Sequence, residues 1–357
     1  MNSLFSHTVL RTLSGVDNFI QMIRRRLVPA ELVVFEDLTG LWLGSALSAA
    51  AELNLASVVP DVGEIDVSLL AESLDLQPMP LTRLLQVLVS SGYFRLSANE
   101  TQVSHTRLSM SLKPGVGGRF TLLQTSSWYR RCFSPESVSE GMRLGCSPFE
   151  VSDSQDFFGL LSQDEEKQAL FSDAMSEVSA FCTPYLVPFL RFGADQKVLD
   201  VGGGSGQLCA LLSRHNKQTE FSVLDRQSES LATSVAFLQG DFFVDIPKGF
   251  DHILLKNILH DWNDECCLQV LQNCADSMEP GGHLHIIELV LPEAGQQSTL
   301  QAKDFLVDWN VYCTLGAQER RLSEFKALLE RTGWTLSSAT KTASPLWVLS
   351  CVRASDK

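Results

Sequence analysis

The nine residues from Val198 to Gly206 (VLDVGGGSG) constrain the fold of this chain more than any other segment. Its apolar and β-branched residues, with one acid among them, indicate a buried strand. The glycines at 202, 204 and 206 indicate a tight turn into a helix that begins near Gln207. Such a turn lets the backbone approach a ligand closely, and its N–H groups can bind anionic or polar groups. The segment therefore predicts a strand–turn–helix ligand site in an α/β domain.

The spacing of these glycines excludes two well-known nucleotide loops. A dinucleotide fingerprint needs a third glycine at position 207, where Gln stands, and a phosphate-binding P-loop needs Gly-Lys-Ser or Gly-Lys-Thr, which is absent. An acid, Asp200, two residues before Gly202 and followed by Gly-x-Gly-x-Gly instead resembles the S-adenosylmethionine (SAM) loop of Rossmann-like methyltransferases. The resemblance implies that Asp200, Gly202 and Gly204 lie at a SAM site.

The size and charge of the chain restrict its partners. At 357 residues it is long enough for two domains that each bury a core. Its formal net charge of −14 argues against nucleic acid as the main partner, because phosphate binding needs a basic surface. No apolar run is expected to reach the ~20 residues needed to span a bilayer, and the amino end lacks the pattern of a secretion signal. We therefore expect neither nucleic acid nor a membrane among its partners.

The cysteines and histidines give no sign of a metal site. Nine cysteines occur without Cys-x-x-Cys spacing, and Cys267 and Cys274 fit the apolar face of one helix. This usage is typical of a reducing compartment, so we expect a cytoplasmic protein without disulfides. His283 and His285 alternate on one strand and so share a face, but no third ligand lies in the same stretch. The sequence therefore predicts no bound metal.

Short apolar strands alternate with helices from Lys197 onward, which is typical of a parallel sheet wound with helices. Asn263 is a candidate N-cap for a helix that ends before Pro280, and Ser323 is a candidate N-cap for a helix that ends at Gly333. The carboxyl half is therefore expected to be a Rossmann-like domain. Its seven predicted strands are residues 197–201, 220–224, 235–239, 251–256, 283–290, 334–342 and 346–352.

The amino-terminal part is predicted to be mostly helical. The stretch from Glu31 to Leu55 is apolar nearly all round, so we expect it to be buried in a large core or against a partner. Two short helices, separated by Pro78 and Pro80, and a small hairpin then follow in a winged-helix pattern. They are predicted at residues 67–74, 81–88, 93–96 and 102–104.

A winged-helix pattern raises DNA binding as an alternative. Residues 1–115 carry 8 lysines and arginines against 11 acidic residues, and the expected recognition helix offers only Arg83 as a contact. This balance favours a structural, dimer-forming use. We predict a dimerisation domain over 1–115, a helical connector with substrate-pocket aromatics such as Trp128 over 116–190, and a SAM-binding catalytic domain over 191–357.

Polar side chains at the ends of the predicted strands form a candidate nucleoside site, because doubly wound sheets bind ligands at that edge. Asp225 ends the second strand about 20 residues past the glycines, where a carboxylate can accept both ribose hydroxyls. Asp241 follows the third strand and offers a carboxylate to an exocyclic amine, and Phe242 offers an aromatic face to a purine. The alternative for the acids is a solvated position on a loop. The alternative for Phe242 is packing in the core, which is the expectation for Phe243.

His260 follows the fourth strand and is the candidate general base. An ordinary imidazole pKa near 6.5 suits proton removal around neutrality. A carboxylate must hold the ring in one tautomer, and Glu288, at the end of the fifth strand, and Glu319 are the candidates. The alternative for Glu319 is an ion pair with a neighbouring arginine, which contributes little on a surface.

Four blocks of this sequence occur in the order seen in the SAM-dependent class I O-methyltransferases, and the chain resembles that family over essentially its whole length. The family includes plant caffeate and flavonoid methyltransferases, acetylserotonin methyltransferase and bacterial natural-product enzymes. The resemblance implies an α/β fold, with a Rossmann-like seven-stranded methyltransferase domain preceded by a mainly helical, winged-helix-like dimerisation domain, and a homodimer. The blocks are residues 198–206, 240–243, 260–262 and 316–320.

The resemblance also implies roles for single residues. His260 matches the general base, Glu288 and Glu319 match the positions that flank and orient it, and Asp261 matches a position that can meet the substrate. The positions that match cofactor contacts are Asp200, Gly202, Gly204, Asp225, Asp241, Phe242, Lys256, Met175 and Ser179.

The sequence departs from the plant enzymes near the expected acceptor site. Asn257 replaces a bulkier residue just before the catalytic segment, and Ala317 interrupts a glycine pair before Glu319. The connector aromatics also do not match a plant pocket. These differences leave the methyl donor unchanged but the acceptor unassigned, with Asn257, Asp261 and Trp128 as candidate substrate contacts.

The predicted function is transfer of a methyl group from SAM to a hydroxyl of a small aromatic acceptor in secondary metabolism, with S-adenosylhomocysteine as the second product. One alternative is methylation of carbon or nitrogen in an aromatic or amino-acid-derived precursor on the same scaffold. A second is a relative that keeps SAM without transferring its methyl, against which the presence of His260 argues. A third is a SAM-binding winged-helix regulator, against which the acidic first domain argues.

Overall fold

A computed structural model describes residues 3–226, 235–296 and 302–354, with the side chains of residues 3–18 described only in part. These residues fall into two compact units, one of residues 1–24, 132–157 and 179–357 and the other of residues 25–131 and 158–178. We call them the sheet unit and the helical unit. The predicted division into 1–115, 116–190 and 191–357 stays a prediction.

Among the described residues, helices predominate up to Leu186, and most of the strands follow from Lys197 onward. The helices are α1 (Ser3–Leu27), α2 (Ala30–Glu52), α3 (Leu55–Val58), α4 (Val67–Ser73), α5 (Pro78–Ser90), α6 (Arg107–Met110), α7 (Gly118–Thr125), α8 (Ser127–Arg130), α9 (Pro135–Leu144), α10 (Pro148–Asp153), α11 (Phe157–Gln163), α12 (Glu165–Leu186), α13 (Gln207–Ser213), α14 (Asp264–Ser277), α15 (Ala302–Leu315) and α16 (Leu322–Arg331). The strands are β1 (Ile65–Asp66), β2 (Phe94–Leu96), β3 (Gln102–His105), β4 (Lys197–Val201), β5 (Glu220–Asp225), β6 (Ala236–Gln239), β7 (His252–Lys256), β8 (His283–Leu291), β9 (Arg320–Arg321), β10 (Trp334–Lys341) and β11 (Leu346–Arg353).

The helical unit confirms the predicted helix–helix–hairpin order. Helices α4 and α5 precede the antiparallel pair β2–β3, and β1 adds a third strand on the other edge of β3. Pro78 and Pro80 do not separate the helices, because they form the first turn of α5, where a missing N–H and a fixed φ are tolerated. Leucines and one aromatic side chain fill the core beneath them: Leu55, Leu70, Leu85, Leu88 and Phe94.

Helix α2 presents most of its apolar side chains to solvent. Leu41 is 62% exposed and Trp42 63% exposed, and of the helix only Ala46 and Ala50 are buried. Burial in a large core, one of the two expectations for this stretch, is therefore wrong, and burial against a partner stays a prediction. Although polar residues interrupt it, α2 is long and apolar enough by length and composition to cross a membrane, with a mean hydropathy of 1.3 in an 18-residue window.

The sheet unit contains a central sheet in the strand order β10-β11-β8-β7-β4-β5-β6. Strands β4 to β8 run parallel, and β11 pairs antiparallel with both β8 and β10. All seven predicted strands are confirmed, with ends that differ by at most one residue. The two-residue strand β9 was not predicted, and it pairs with the end of β8.

One of the two predicted helix caps is confirmed. Asn263 caps α14, because its side chain accepts the N–H of Cys266 at 2.9 Å. Ser323 does not cap α16, because it is the second residue of that helix and its hydroxyl donates to Glu293 at 2.7 Å. Arg321 occupies the cap position instead.

The strand order fixes where a ligand can bind. The chain proceeds outward from β4 through β5 to β6 and then returns to the other side of β4 with β7. The crevice beyond the carboxyl ends of β4 and β7 is therefore the topological switch point, where doubly wound sheets bind ligands. Both the glycine turn after β4 and the segment of His260 after β7 lie at this edge.

Candidate active site

The turn after β4 requires glycine for steric reasons. Gly202 and Gly204 have positive φ angles of 69° and 54°, which L side chains rarely adopt. A Cβ atom on Gly202 would clash with the side chain of Ile258 and lie 3.4 Å from the ring of Phe242. Gly202 therefore packs against the protein itself, whereas a Cβ atom on Gly204 would meet no described atom within 4 Å, so the backbone is open there. Helix α13 begins at Gln207 as predicted.

The acid of the glycine segment lies beneath the turn. Asp200 is 1% exposed, and its nearest recorded side-chain partner is the thiol of Cys209 at 3.8 Å. Burial raises the pKa of the Asp200 carboxyl to about 7. A Cβ atom on Gly203 would come within 2.6 Å of this carboxylate, so Asp200 and the turn pack closely against each other.

The two predicted nucleoside acids lie at the ends of neighbouring strands. Asp225 Oδ2 accepts the N–H of Gly204 at 2.8 Å, and its Oδ1 accepts the N–H of Arg226 at 2.7 Å. Asp241 Oδ1 accepts the N–H of Phe243 at 2.9 Å. Arg226 connects the two acids, because its backbone N–H donates to Asp225 and its guanidinium donates to Asp241 Oδ2 at 2.6 Å. Sequence analysis did not foresee this arginine contact.

Lys256 ends β7 and its ammonium group donates to the hydroxyl of Ser179 at 3.1 Å. Burial lowers the pKa of Lys256, and the nearby charges of Asp200 and Glu288 oppose that shift. The structure thus brings together Lys256 and Ser179, both predicted cofactor contacts. The other predicted connector residues, Met175 and Trp128, belong to the helical unit, and their roles stay predictions.

The imidazole of His260 is surrounded by three carboxylates. Its Nδ1 lies 2.7 Å from Glu319 Oε1 and 3.6 Å from Glu288 Oε2, and its Nε2 lies 3.3 Å from Asp261 Oδ1. Glu288 and Glu319 are almost fully buried, with 0% and 3% exposure. The two acids predicted to flank His260, Glu288 and Glu319, therefore both face its Nδ1. Asp261 is the carboxylate that faces Nε2.

The contact of Glu319 answers the question that the sequence left open. Its carboxylate lies against His260, whereas the neighbouring Arg320 pairs with Asp264 and Arg321 pairs with Glu324. The arginine-pair alternative for Glu319 is therefore wrong.

The protonation of this cluster differs from the ordinary values assumed from sequence. Burial by itself lowers the pKa of His260, but the carboxylates of Glu288, Asp261 and Glu319 outweigh it and raise that pKa to about 10. Burial raises the pKa of Glu288 to about 7 and that of Asp261 to about 6. The site therefore favours an imidazolium ion, and the argument from an unperturbed pKa near 6.5 is wrong here.

The backbone turn that carries His260 is held from both sides. Glu288 Oε1 accepts the N–H groups of Ile258 and Leu259, each at 2.9 Å. The buried guanidinium of Arg320 donates to the carbonyl oxygens of Leu259 and Trp262. Arg320 ends the block 316–320, but nothing in that sequence motif shows which carbonyl groups its side chain reaches.

Asn257, a predicted substrate contact, has an unusual conformation. Its φ angle is 53°, in the left-handed region that asparagine tolerates better than most residues. Its N–H donates to Ile287 O at 3.1 Å, and its side-chain Oδ1 is buried without a hydrogen-bond partner. The position therefore offers an unused acceptor between β7 and His260.

The geometry of His260, Glu288 and Glu319 also has to be compared with that of a metal site. One donor atom from each lies within 4.8 Å of the others, a spacing that a metal ion can use. The 2.7 Å contact from Nδ1 to Glu319, however, is a normal length for a charge-assisted hydrogen bond. His283 and His285 lie at the opposite end of β8, where His285 contacts His252 at 3.1 Å and Ser350 at 3.1 Å.

Comparisons with known proteins agree with this architecture. The O-methyltransferase domain family matches residues 138–335, and the O-methyltransferase dimerisation domain family matches residues 35–113. The mitomycin biosynthesis 6-O-methyltransferase of Streptomyces lavendulae is 30% identical over 321 residues, which cover 85% of this chain and 89% of that protein. The phenazine O-methyltransferase PhzM of Lysobacter antibioticus is 28% identical over 339 residues, covering 90% and 96%.

Solved structures give the same result. The crystal structure of LaPhzM superimposes with a TM-score of 0.82 at 26% identity and covers 91% of this chain and 100% of its own. Human N-acetylserotonin methyltransferase in complex with SAM has a TM-score of 0.81 at 21% identity, covering 92% and 99%, and so shares the fold. The chain therefore belongs to the SAM-dependent O-methyltransferase family.

Proposed function

We propose that this protein transfers the methyl group of SAM to a hydroxyl of a small aromatic acceptor in natural-product biosynthesis, with His260 as the general base. The observation that carries the proposal is the 2.7 Å contact between His260 Nδ1 and the buried Glu319. A carboxylate at Nδ1 holds the proton on that nitrogen, so Nε2 is the atom available to exchange a proton with an acceptor. Cytoplasmic localisation and the absence of nucleic-acid and membrane partners belong to the same proposal.

The residues at the switch point fit SAM. A Cβ atom on Gly204 would meet no described atom within 4 Å, so the glycine turn leaves space for a ligand to approach its backbone closely. We assign the methionine part of SAM to Gly202 and Gly204, the ribose to Asp225, and the adenine to Asp241 and Phe242. Further contacts are assigned to Asp200, Lys256, Met175 and Ser179. When bound, SAM supplies an electrophilic methyl group on a positively charged sulfur.

The residues of the chain would position the acceptor and take up its proton. The acceptor hydroxyl would give its proton to His260 Nε2, and its oxygen would take the methyl group that bound SAM supplies, with S-adenosylhomocysteine as the leaving group. Holding the two reactants at attack distance can supply roughly 7–11 kcal/mol of the barrier, and a positioned base about 10²–10⁴-fold in rate. Positioning is therefore the larger contribution.

The raised pKa of His260 is compatible with this role for a phenolic acceptor. A neutral imidazole with a phenol and an imidazolium with a phenolate contain the same number of protons. The carboxylates of Glu288, Asp261 and Glu319 favour the second arrangement, because they stabilise the imidazolium. The acceptor would thus be deprotonated before the methyl group moves.

An aromatic acceptor is supported by the relatives. They include O-methyltransferases named for mitomycin, phenazine and 3-amino-4-hydroxybenzoate. We assign acceptor contacts to Asp261, Asn257 and Trp128. The buried, unpartnered Oδ1 of Asn257 favours a hydrogen-bond donor on the methyl acceptor or on the cofactor.

The test is incubation with methyl-labelled SAM and a panel of phenols, hydroxylated heteroaromatics and indoles, with mass analysis of the products. We expect methyl ethers from at least one phenol, a loss of about 10²–10⁴-fold in kcat for His260→Ala, and unchanged SAM affinity. His215→Gln, a change at an exposed histidine of the sheet unit, is the control. Turnover of His260→Ala within a few-fold of the parent would overturn the base assignment, and carbon- or nitrogen-methylated products alone would overturn oxygen as the acceptor.

Treatment with a chelator distinguishes proton transfer by His260 from binding of a metal ion by His260. Treatment with EDTA followed by desalting is expected to leave kcat unchanged, because the proposal gives Nδ1 a hydrogen bond to Glu319 and not a metal ion. A loss of activity that added divalent cation restores would contradict this assignment.

A further inference from the structure

Arg320 is an unusually buried cation in the sheet unit. It is 1% exposed, and its guanidinium donates to Leu259 O at 2.6 Å and to Trp262 O at 2.8 Å. The same group donates from Nε and NH2 to Asp264 Oδ1 at 3.0 and 2.8 Å. Burying a guanidinium carries a large cost unless its charge is paired and its donors are used. Here the ion-pair partner, Asp264, is half exposed, so this pair alone does not compensate for burying the guanidinium. The hydrogen bonds to the two carbonyl oxygens must also contribute.

The two carbonyl acceptors flank His260. Leu259 is the residue directly before it, and Trp262 is two residues after it, so the guanidinium spans the 3₁₀ turn Leu259–Asp261. On the other side of the turn, Glu288 accepts the N–H groups of Ile258 and Leu259. The Glu288 carboxylate therefore binds the amide groups of the turn, and the Arg320 guanidinium binds its carbonyl groups.

The pairing of β8 with β9 brings Glu288, Glu319 and Arg320 to the turn. Strand β9 pairs with β8, with Arg320 opposite Val290, two residues beyond Glu288. Glu319 directly precedes Arg320, and its N–H donates to Asp308 at 2.8 Å. The register of β9 thus sets the position of the Glu319 carboxylate and the Arg320 guanidinium together.

We propose that Arg320 is a positioning residue for the methyl transfer, an inference that rests on the proposed function of His260. Its guanidinium holds the turn so that Nδ1 of His260 stays in contact with Glu319 and Nε2 stays directed to the acceptor. A planar fork of five N–H donors can meet two carbonyl oxygens and a carboxylate at once, whereas a lysine ammonium is a single point charge. Lysine at this position would keep the charge but loosen the turn.

The test compares Arg320→Lys with Arg321→Lys, whose guanidinium pairs with Glu324 away from the turn. We expect Arg320→Lys to lower kcat by about 10–100-fold, because a small misplacement of a catalytic group has effects of that size. SAM affinity is expected to stay within about two-fold, by the same reasoning. Arg321→Lys is expected to keep the parent kcat, and all assays are run well below the melting temperature of each variant.

A spectroscopic readout distinguishes positioning from a purely structural role. The proton on His260 Nδ1, bound by a buried carboxylate, should give a far-downfield ¹H resonance that disappears in His260→Gln. We expect it to move upfield and exchange faster with solvent in Arg320→Lys. The pH dependence of kcat/KM should also move to lower pH, because a His260 further from Glu319 loses part of the carboxylate effect on its pKa.

The outcomes are separable from those of the proposed function. If Arg320→Lys fails to fold, Asp264→Asn serves instead, since it removes the counter-charge from a half-exposed position, with an expected loss of about 3–10-fold in kcat in the same direction. Parent activity with an unchanged kcat and an unchanged Nδ1 resonance in the folded variant would overturn the positioning role. A parent protein that methylates no acceptor would instead overturn the proposed function, while the resonance would still report on the turn.

Discussion

The N–H of Gly204 donates a 2.8 Å hydrogen bond to Oδ2 of Asp225, which links the glycine turn after β4 to the acid that ends β5. Oδ1 of the same carboxylate accepts the N–H of Arg226. Each carboxylate oxygen has further acceptor capacity, so both can still accept hydroxyl groups of a ligand. A substitution of Asp225 should therefore affect both the support of the glycine turn and the binding of the ribose assigned to this residue.

Asp225→Asn is expected to weaken SAM binding by about 10–100-fold, since hydrogen bonds to a charged acceptor contribute about 1.5–3 kcal/mol. The amide NH2 group would face the N–H of Gly204 or Arg226 and could not accept from either. Isothermal titration calorimetry measures the affinity. Asp245→Asn, an exposed acid on the loop after β6, should bind SAM as the parent does, and equal affinity of both variants would refute the assignment of Asp225.

Glu319→Gln tests the electrostatics of the His260 cluster. The amide can donate to Nδ1 and so favour the tautomer with its proton on Nε2, which cannot accept a proton from the acceptor. We expect kcat to fall by about 10²–10⁴-fold, the range found when a carboxylate that orients a catalytic histidine is replaced by an amide or when a general base is lost.

The same variant also gives a pH prediction. Carboxylates raise the pKa of His260 to about 10 in the parent, so kcat/KM for a neutral phenol should rise with pH through the neutral range. Removing the Glu319 charge lowers that pKa, so the rise should occur at lower pH in Glu319→Gln. Profiles measured with one phenol at constant ionic strength check this, and identical midpoints for parent and variant would contradict it.

Local sequence signals predicted the sheet and the glycine turn well, because they act over a few residues. The run before Gly202 is apolar and buried, and Gly202 and Gly204 adopt the positive φ angles for which glycine is suited. Asn263 was recognised as a cap for the same reason. Ser323 was also predicted as a cap, and that prediction is wrong, because Ser323 lies inside the helix and its hydroxyl donates to the distant Glu293.

Contacts between distant segments were the part that sequence alone left open. The family resemblance named His260, Glu288 and Glu319, but only the pairing of β8 with β9 brings the two glutamates to one side of the imidazole. The raised pKa of His260 depends on Asp261 beside it and on the buried Glu288 and Glu319 from two other segments, so an ordinary pKa was the wrong assumption. The bridge from Arg226 to Asp241 likewise joins two strand ends.

The buried His252 and the half-buried His285, near the amino ends of β7 and β8, should make the protein sensitive to acid. Nδ1 of His252 lies 3.1 Å from Nε2 of His285, and burial lowers their pKa values to about 4 and about 3. Unfolded chains bind these protons near pH 6.5, so the stability that the neutral pair contributes is complete above that pH and is lost as the pH falls below it.

The free energy of unfolding of His285→Leu should therefore depend less on pH than that of the parent between pH 6.5 and 4. The difference in slope should approach ~1.4 kcal/mol per pH unit, the value for one proton. Urea unfolding at a series of pH values measures both slopes. His215→Gln, at an exposed position, should keep the parent slope, and parallel curves for His285→Leu and the parent would show that the histidine pair does not titrate as described.

The exposed apolar side chains of α2 are the proposed homodimer surface. Trp42 is 63% exposed, Phe35 is 55% exposed, and their rings form an edge-to-face pair with centroids 6.0 Å apart. The dimerisation domain family matches residues 35–113, which include both aromatics. In a homodimer both subunits would bury this surface, so each side chain is buried in two copies. Complete burial of a large apolar side chain contributes about 1.5–3 kcal/mol.

Trp42→Glu should therefore convert a dimer into a monomer at micromolar concentration, because it removes that burial and brings a charge into the interface of each subunit. Size-exclusion chromatography with light scattering measures the mass, and far-UV circular dichroism should match the parent. Val62→Glu is the control, since Val62 is 90% exposed on a loop outside α2 and should leave the dimer intact. A Trp42→Glu protein that stays dimeric would exclude this face of α2 as the interface, and a monomeric parent would exclude the homodimer itself.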